Sequence, residues 1–534
     1  MAKLNTDYYK NNELFPLTEE EKVISYYIYK KSPNEDYNDL IKDDNRYFVK
    51  YNFSDYRSSI LRWYPFRKDA SVLEINAEYG AMTGALCDNC KKVIATDSSI
   101  FKAKLICERY KNRKNLSVYA ADIADICFAQ KFDYIISFKG IENVFNPVEY
   151  LNSLKNLLKE NGVLIFECEN KYGIQYLTGK KESHSGIPFD SIAGYPNGQY
   201  GHGYTKIQVD KYLDMSEFKT WRFFYPLPDS ISPRAIYSDE GCPAINMIER
   251  LFVFHEDSSS LIADDRQMYI DAVENGVYSF VSNHFIVEAS NKKQNLSDIK
   301  STTLSGYRPR KKSCATIIHS NGTVEKKGLF PETKKYLSHL CELSNRIEKQ
   351  NINILSMKNK NNSLFMTFVT ADTLQIYLVK LLQSKRNRNK VFKVFDELWS
   401  AIINSSECSN TCAIKDTSLD LRPVLKNAYL EMVSINSFWI DNKIVFFDQE
   451  IERKNYPAKY VLWRSINMLY GQVDKDNPVI SKSELLNRFD ISVEMEKLFY
   501  ALELQLDQEE NPYQIFYKNN LSFEQLKNNR LKLL

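Results

Sequence analysis

Long apolar runs are missing from this chain. Across 534 residues no segment approaches the roughly 18 consecutive apolar residues of a membrane-crossing helix, so the protein is not expected to be transmembrane. The opening stretch, MAKLNTDYYKNNELF, lacks the apolar core of a signal peptide. An excess of one charge is missing too. Lys and Arg number 71 against 68 Asp and Glu, a formal charge of +3, and that balance gives no global electrostatic case for nucleic acid or an anionic membrane as the main partner. The 10 cysteines form no dense framework, which predicts reduced thiols and a cytoplasmic protein. CDNC, at Cys87 and Cys90, is a CxxC without a second pair on a predicted helix, and that favours plain thiols over a metal or redox centre. Internal repeats and low-complexity tracts are also lacking. What is present, 43% hydrophobic and 26% charged residues, fills several ordinary cores, and the length predicts two or three domains.

Residues 1–65 read as a helical lead-in, with apolar positions at helical spacing in EEEKVISYYIYKK and YRSSILRWYPF. From Ala70 strands and helices alternate. SVLEIN, KVIATD, LSVYAAD, FDYIISF and VLIFECEN are the strands; the intervening helices include SIFKAKLICERYKN and VEYLNSLKNLLKENG. Short apolar strands separated by helices of this length make right-handed βαβ units, hence an α/β, doubly wound parallel sheet. A polar segment, 291–306, reads as a linker. Beyond it, CATIIHSNGTVEKKGLF predicts two strands around an Asn-Gly turn, and SFWIDNKIVFFDQE a hairpin around Asp441-Asn442. The domains expected are therefore a lead-in to 65, a Rossmann-like domain at 66–290, the linker, an α+β domain at 307–482, and a helical tail at 483–534.

In an open α/β sheet, ligands bind outside the carboxyl ends of the strands. Glu74 closes the first strand. A small-residue loop then runs through Asn76 to Gly84, where the usual glycine spacing would fall on Asn76, Glu78 and Gly80. Asn tolerates left-handed backbone angles, so Asn76 can keep the turn. Asp97 closes the second strand, Asp122 and Ile123 follow the third, and Phe138 to Gly140 follow the fourth. A carboxylate at Asp97 suits ribose hydroxyls, and one at Asp122 suits an adenine amino group. On these residues the segment 68–170 resembles a class I S-adenosylmethionine-dependent methyltransferase. It is most similar to those of bacterial surface-polysaccharide gene clusters. ENKYGIQYLTGKKESHSGIPFDSIAGYPN (169–197) resembles that group's marker, with Ser183 replacing a usual Asp; YPLPD (225–229) is a further marker. The resemblance implies S-adenosylmethionine held by Glu74, Asn76, Gly80, Asp97, Asp122, Ile123 and Phe138. His184, one of 6 histidines, is then the candidate base, with Glu182 and Tyr172 in support, or else a structural hydrogen bond in a loop.

A second constellation lies in 306–470. Lys326 stands where a nucleotide kinase keeps its phosphate-holding lysine. Glu431 precedes Asn436 by five residues and Asp448 follows twelve later, which matches the kinase spacing of catalytic Asp, metal-binding Asn and metal-binding Asp. The segment resembles the protein-kinase-like fold, and the whole is similar to methyltransferase–kinases that cap O-antigen chains. That implies ATP and magnesium, with Asn436 and Asp448 as metal ligands. Glu431 departs from the pattern: its extra methylene moves the carboxylate by about 1 Å, enough to cost rate. An active kinase and a degenerate, substrate-holding domain both stay open.

The resemblance thus implies a methyltransferase acting on a glycan or glycan phosphate in surface-polysaccharide (O-antigen or capsule) assembly. It would work in the cytoplasm or at the inner face of the membrane, on a lipid-linked polysaccharide and beside membrane glycosyltransferases. The alternative is a scaffold that keeps both folds, has lost both chemistries and recruits those glycosyltransferases. Nucleic-acid methylation is set aside, because a basic stripe and an NPPY-like sequence are lacking.

Overall fold

The alternation of apolar strands and helices after Ala70 builds the expected parallel sheet. In the computed structural model, which describes residues 1–10, 16–198, 201–248, 251, 253, 255–293, 296–383, 385–415, 418–473, 478–517 and 521–532, a short strand β1 (Lys3–Asn5) precedes four helices. These are α1 (Glu19–Lys31), α2 (Asn38–Asp43), α3 (Tyr47–Phe53) and α4 (Asp55–Arg62). Then follow β2 (Ser71–Ile75), α5 (Thr83–Asn89), β3 (Lys92–Asp97), α6 (Ile100–Arg109), β4 (Leu116–Ala120), β5 (Phe132–Phe138), α7 (Pro147–Leu157) and β6 (Leu158–Glu169). The sheet runs β1-β4-β3-β2-β5-β6, all parallel. Successive side chains face opposite cores: Val72, Val93, Val118, Ile136 and Ile165 line one, and Leu73, Ile94, Ile135 and Leu164 the other. Burial on both faces explains why these strands read as continuous apolar runs. Local caps set the helices. Ser99 accepts the Lys102 amide at the start of α6, and Asn146 caps α7 ahead of Pro147.

Three expectations are corrected. Helix α7 stops at Leu157, because Leu158 already pairs with Phe132 and KENG lies within β6. The segment 175–290, whose sequence reads as irregular and turn-rich, holds β7 (Thr220–Leu227), β8 (Ala235–Ser238) and β9 (His284–Ser290), which continue the sheet in antiparallel fashion as β6-β9-β7-β8. The segment 291–306 is no free linker: β10 (Ile299–Leu304) pairs with β8 and with β11 (Cys314–His319), burying Ile299 and Leu304. Of that segment, residues 294–295 lie outside the described residues.

By its internal packing the chain divides into two units. The first comprises Met1–Asn321, Lys327–Pro331 and Tyr513–Leu534; the second comprises Gly322–Lys326 and Glu332–Pro512. The predicted tail, 483–534, is therefore split. Helices Lys482–Arg488 and Val493–Glu510 belong to the second unit, whereas Phe523–Leu531 packs in the first, where the Asn529 amide donates to the Ser258 and Leu261 carbonyls. The second unit is α+β. It has antiparallel strand pairs Lys358–Lys360 with Ser363–Thr367, Ser437–Ile440 with Lys443–Phe446, and Val424–Tyr429 with Glu452–Pro457, and long helices such as Arg388–Asn404 and Ala458–Tyr470. Asp441 and Asn442 take φ of 51° and 60°, the left-handed pair that the predicted two-residue turn requires. Among the described residues, no helix is long and apolar enough to cross a membrane.

Candidate active site

The chain reverses its winding between β2 and β5, and this switch point opens a crevice at the carboxyl ends of the strands. The loop after β2 keeps the shape of a glycine turn without most of its glycines: Asn76, Glu78 and Gly80 have φ of 52°, 51° and 76°. At Gly80 a Cβ would lie 2.9 Å from the Tyr110 ring, whose hydroxyl donates to the Gly80 carbonyl. Asp97 fastens the loop. Its Oδ2 accepts the Glu78 amide and its Oδ1 the Ser99 amide, both at 2.9 Å. Burial pushes the Asp97 carboxyl upward. Beneath the loop Glu74 accepts the Thr83 hydroxyl at 2.6 Å; its other oxygen is buried without a partner, and burial pushes its pKa up to about 7.

Between this loop and the ends of β3 and β5 lies a cavity of about 300 Å³ lined by Asn76, Glu78, Asp97, Phe138 and Lys139, with Tyr51 from α3 and Arg57 from α4. The Tyr51 ring stands 4.9 Å from the Lys139 ammonium and 5.1 Å from the Arg57 guanidinium, and its hydroxyl donates to Glu78. Ser98 links this cavity to one of about 530 Å³ bordered by Ser99, Phe101 and Asp122. Asp122 is exposed and caps the following turn by accepting the Ala124 amide. Tyr51, Glu78, Lys102 and Lys139 also border a third cavity, of about 710 Å³, which reaches Glu169, Lys180, Glu182, Ser183 and His284.

The marker segment therefore borders the crevice. Glu182 accepts the His184 and Ser185 amides at 2.8 and 2.7 Å, which curls the loop, and Glu169 accepts hydroxyls from Tyr176 and Ser183. His184 sits behind them, its Nε2 buried without a hydrogen-bond partner and 3.8 Å from Glu142 Oε2. Burial and the Glu169 and Glu167 charges push the Glu142 carboxyl far up.

Of the residues singled out in the sequence, Asn76, Asp97 and Phe138 share the first cavity, Asp122 borders the second, and Glu182 the third. Glu74 lies beneath the loop and Gly80, within it, faces the Tyr110 ring; neither lines these three cavities. Ile123 packs against the sheet core, and Tyr172 stacks on Phe280 at 5.6 Å, away from the cavities. Tyr51, Arg57, Glu142 and His284 went unnoticed in the sequence, and Lys139 was covered only as part of the stretch 138–140. Lys139 and Glu142 follow the fourth strand directly in FKGIEN, a position that could have drawn attention; Tyr51 and Arg57 carry no such signal. Cys87 and Cys90 are buried and free, and burial raises both thiols, that of Cys90 to about 12.

In the second unit Lys326 pairs with Asp448 and Glu450. Asn436 donates to Glu431 at 2.5 Å, and Arg464, buried, lies 3.3 Å from the other Glu431 oxygen while also bonding Glu503. Glu431 is thus held by two donors, with Asn436 turned to it.

Residues 94–186 match the family model described as a methyltransferase domain. No curated protein matches the chain. Among solved structures, the N-methyltransferase NodS from Bradyrhizobium japonicum is 22% identical over 22% of this chain and 67% of its own, with a TM-score of 0.20. Its complex with S-adenosyl-L-homocysteine is 17% identical over 37% and 87%, at 0.25. Phosphoethanolamine N-methyltransferase 1 of Haemonchus contortus, in complex with phosphoethanolamine and S-adenosylhomocysteine, is 14% identical over 51% and 50%, at 0.29. The family match and the order of the parallel strands together give the first unit a methyltransferase domain on a Rossmann-like sheet.

Proposed function

We propose that the first unit is an S-adenosylmethionine-dependent methyltransferase acting on a glycan or glycan phosphate during surface-polysaccharide assembly, at the cytoplasmic side. The observation that carries this reading is the left-handed loop at Asn76, Glu78 and Gly80, fastened to Asp97 beside a cavity of about 300 Å³. Bound there, the cofactor would supply an electrophilic methyl group. Asn76 and Glu78 let the backbone approach a ligand closely, Asp97 can accept from ribose hydroxyls, and Asp122 can meet an adenine amino group. The third cavity, with Lys139 and Lys180 on its walls, suits an acceptor carrying hydroxyls or phosphate. Methyl transfer is an in-line displacement, so holding the acceptor in line and excluding water supply most of the rate. A hydroxyl acceptor must lose a proton, which Glu182 on the cavity wall or His184 behind it would take; a phosphate acceptor needs no base.

The second unit would either phosphorylate the acceptor with ATP and magnesium or hold it. The tether of Glu431 to Asn436 and Arg464 favours holding, and with it the reading of a scaffold beside membrane glycosyltransferases. Isothermal titration of the full chain should show S-adenosylmethionine binding that Asp97→Ala abolishes; a wild-type chain that does not bind ends the enzymatic reading. Labelled S-adenosylmethionine with lipid-linked glycans, with and without ATP and magnesium, then separates the roles of the second unit. Transfer that needs ATP means both units act in series, and transfer without ATP leaves the second as a holder.

A further inference from the structure

We propose that Glu169, Glu182 and His184 form a binding site for a divalent cation at the wall of the acceptor cavity. Their ligand atoms lie within 4.8 Å of one another, and Glu169 and Glu182 border the cavity of about 710 Å³, which gives an ion a route in. Metal–ligand bonds of about 2.1 Å set donors roughly 3 to 4 Å apart, so small side-chain rotations would close the set.

A separate observation points to the same ion. Glu142 is only 1% exposed and aims its Oε2 at His184 Nε2 across 3.8 Å. Its other oxygen accepts the Glu169 amide, and the His184 nitrogen is buried without a hydrogen-bond partner. A gap of 3.8 Å is too long for a hydrogen bond and suits two bonds of about 2.1 Å to one shared ion. Glu142 stands outside the set of three and would have to move toward it to serve as a fourth ligand. The surroundings favour a cation as well. Glu167 lies buried nearby with one oxygen unpartnered, and His284 Nε2 is 3.8 and 3.9 Å from Glu167 and Glu169. Lys139, Lys180 and His284 offset part of this buried negative charge, and a cation would offset more of it. Carboxylate oxygens with one imidazole suit manganese, iron or zinc. An ion at this wall would take a phosphate or a pair of hydroxyl oxygens of the acceptor. Cation binding itself does not depend on the methyl-transfer reading and is tested apart from it.

The full-length chain, stripped with a chelator, is titrated with Mn2+ and followed by electron paramagnetic resonance. One ion bound at this site is expected, with pulsed spectra showing coupling to an imidazole nitrogen that changes on 15N-histidine labelling. His184→Ala should remove that coupling, and both His184→Ala and Glu182→Gln should weaken binding at least tenfold. The labelled wild type decides the matter even where a variant misfolds. Absence of nitrogen coupling overturns the proposal. So does Mn2+ held equally well by folded His184→Ala, as an ion on Asp448 of the second unit would be.

Discussion

Asn76 and Glu78 carry side chains at backbone angles that most residues avoid, and each is strained by about 1 kcal/mol or more in doing so. The sequence reads as a damaged glycine loop, yet the left-handed geometry has survived the loss of the glycines. Asn76→Gly should therefore leave S-adenosylmethionine binding intact and stability unchanged or slightly raised. Asn76→Val, branched at Cβ, should cost roughly 2 kcal/mol and weaken binding, as read by urea denaturation and titration. Glu74 makes a pH prediction. Burial raises its folded pKa to about 7 from an ordinary 4.5. A raised carboxyl favours folding while it keeps its proton. That stability is fully present below about pH 4.5 and is lost as pH rises through 7, about 3 kcal/mol in all. Glu74→Gln still accepts the Thr83 hydroxyl but cannot ionise. The stability of the variant relative to wild type should shift in its favour by that amount between pH 4.5 and 8 in urea denaturation. A difference that stays flat with pH would mean that Glu74 does not titrate in this range.

At the scale of elements, legibility followed burial. The five parallel strands are covered on both faces, so their sequences are plain apolar runs, and the structure has them where periodicity predicts. Asp97 and Asp122 were legible for the same reason, because a polar residue that ends such a run must lie at the sheet's edge. The antiparallel strands β7, β8 and β10 were hidden. PRAIYSDE and SDIKSTTL mix polar and apolar residues because their neighbours differ from face to face, and sequence alone does not name those neighbours. Helix α4 was expected from its spacing, and α3 only as part of the helical lead-in. That Tyr51 and Arg57 on them reach the mouth of the crevice depends on docking, which leaves no periodic trace. Tyr172 misled for the converse reason: it lies in a marker segment, but stacking on Phe280 turns it from the cavities.

For the whole molecule, the unit that holds the crevice is completed by residues from the far end of the chain. The last helix, Phe523–Leu531, reads as one more turn of a featureless tail, since its partners lie some 270 residues earlier. Its attachment rests on a few groups. Leu526 is buried, and the Asn529 amide is the donor to two loop carbonyls, at Ser258 and Leu261. Asn529→Ala leaves both carbonyls without that donor and should cost about 1 to 3 kcal/mol, and Leu526→Ala about 2 to 4 kcal/mol. The carbonyls lie on the segment that follows Asp257, and Asp257 borders the acceptor cavity and pairs with Lys181 there. Loosening the tail should thus reach the crevice through the loop 257–261. In calorimetry of the full chain, both variants should lower the melting transition that S-adenosylmethionine raises. If that transition stays in place while another moves, the tail stabilises the second unit instead, and the division of the chain described above is wrong at its carboxyl end.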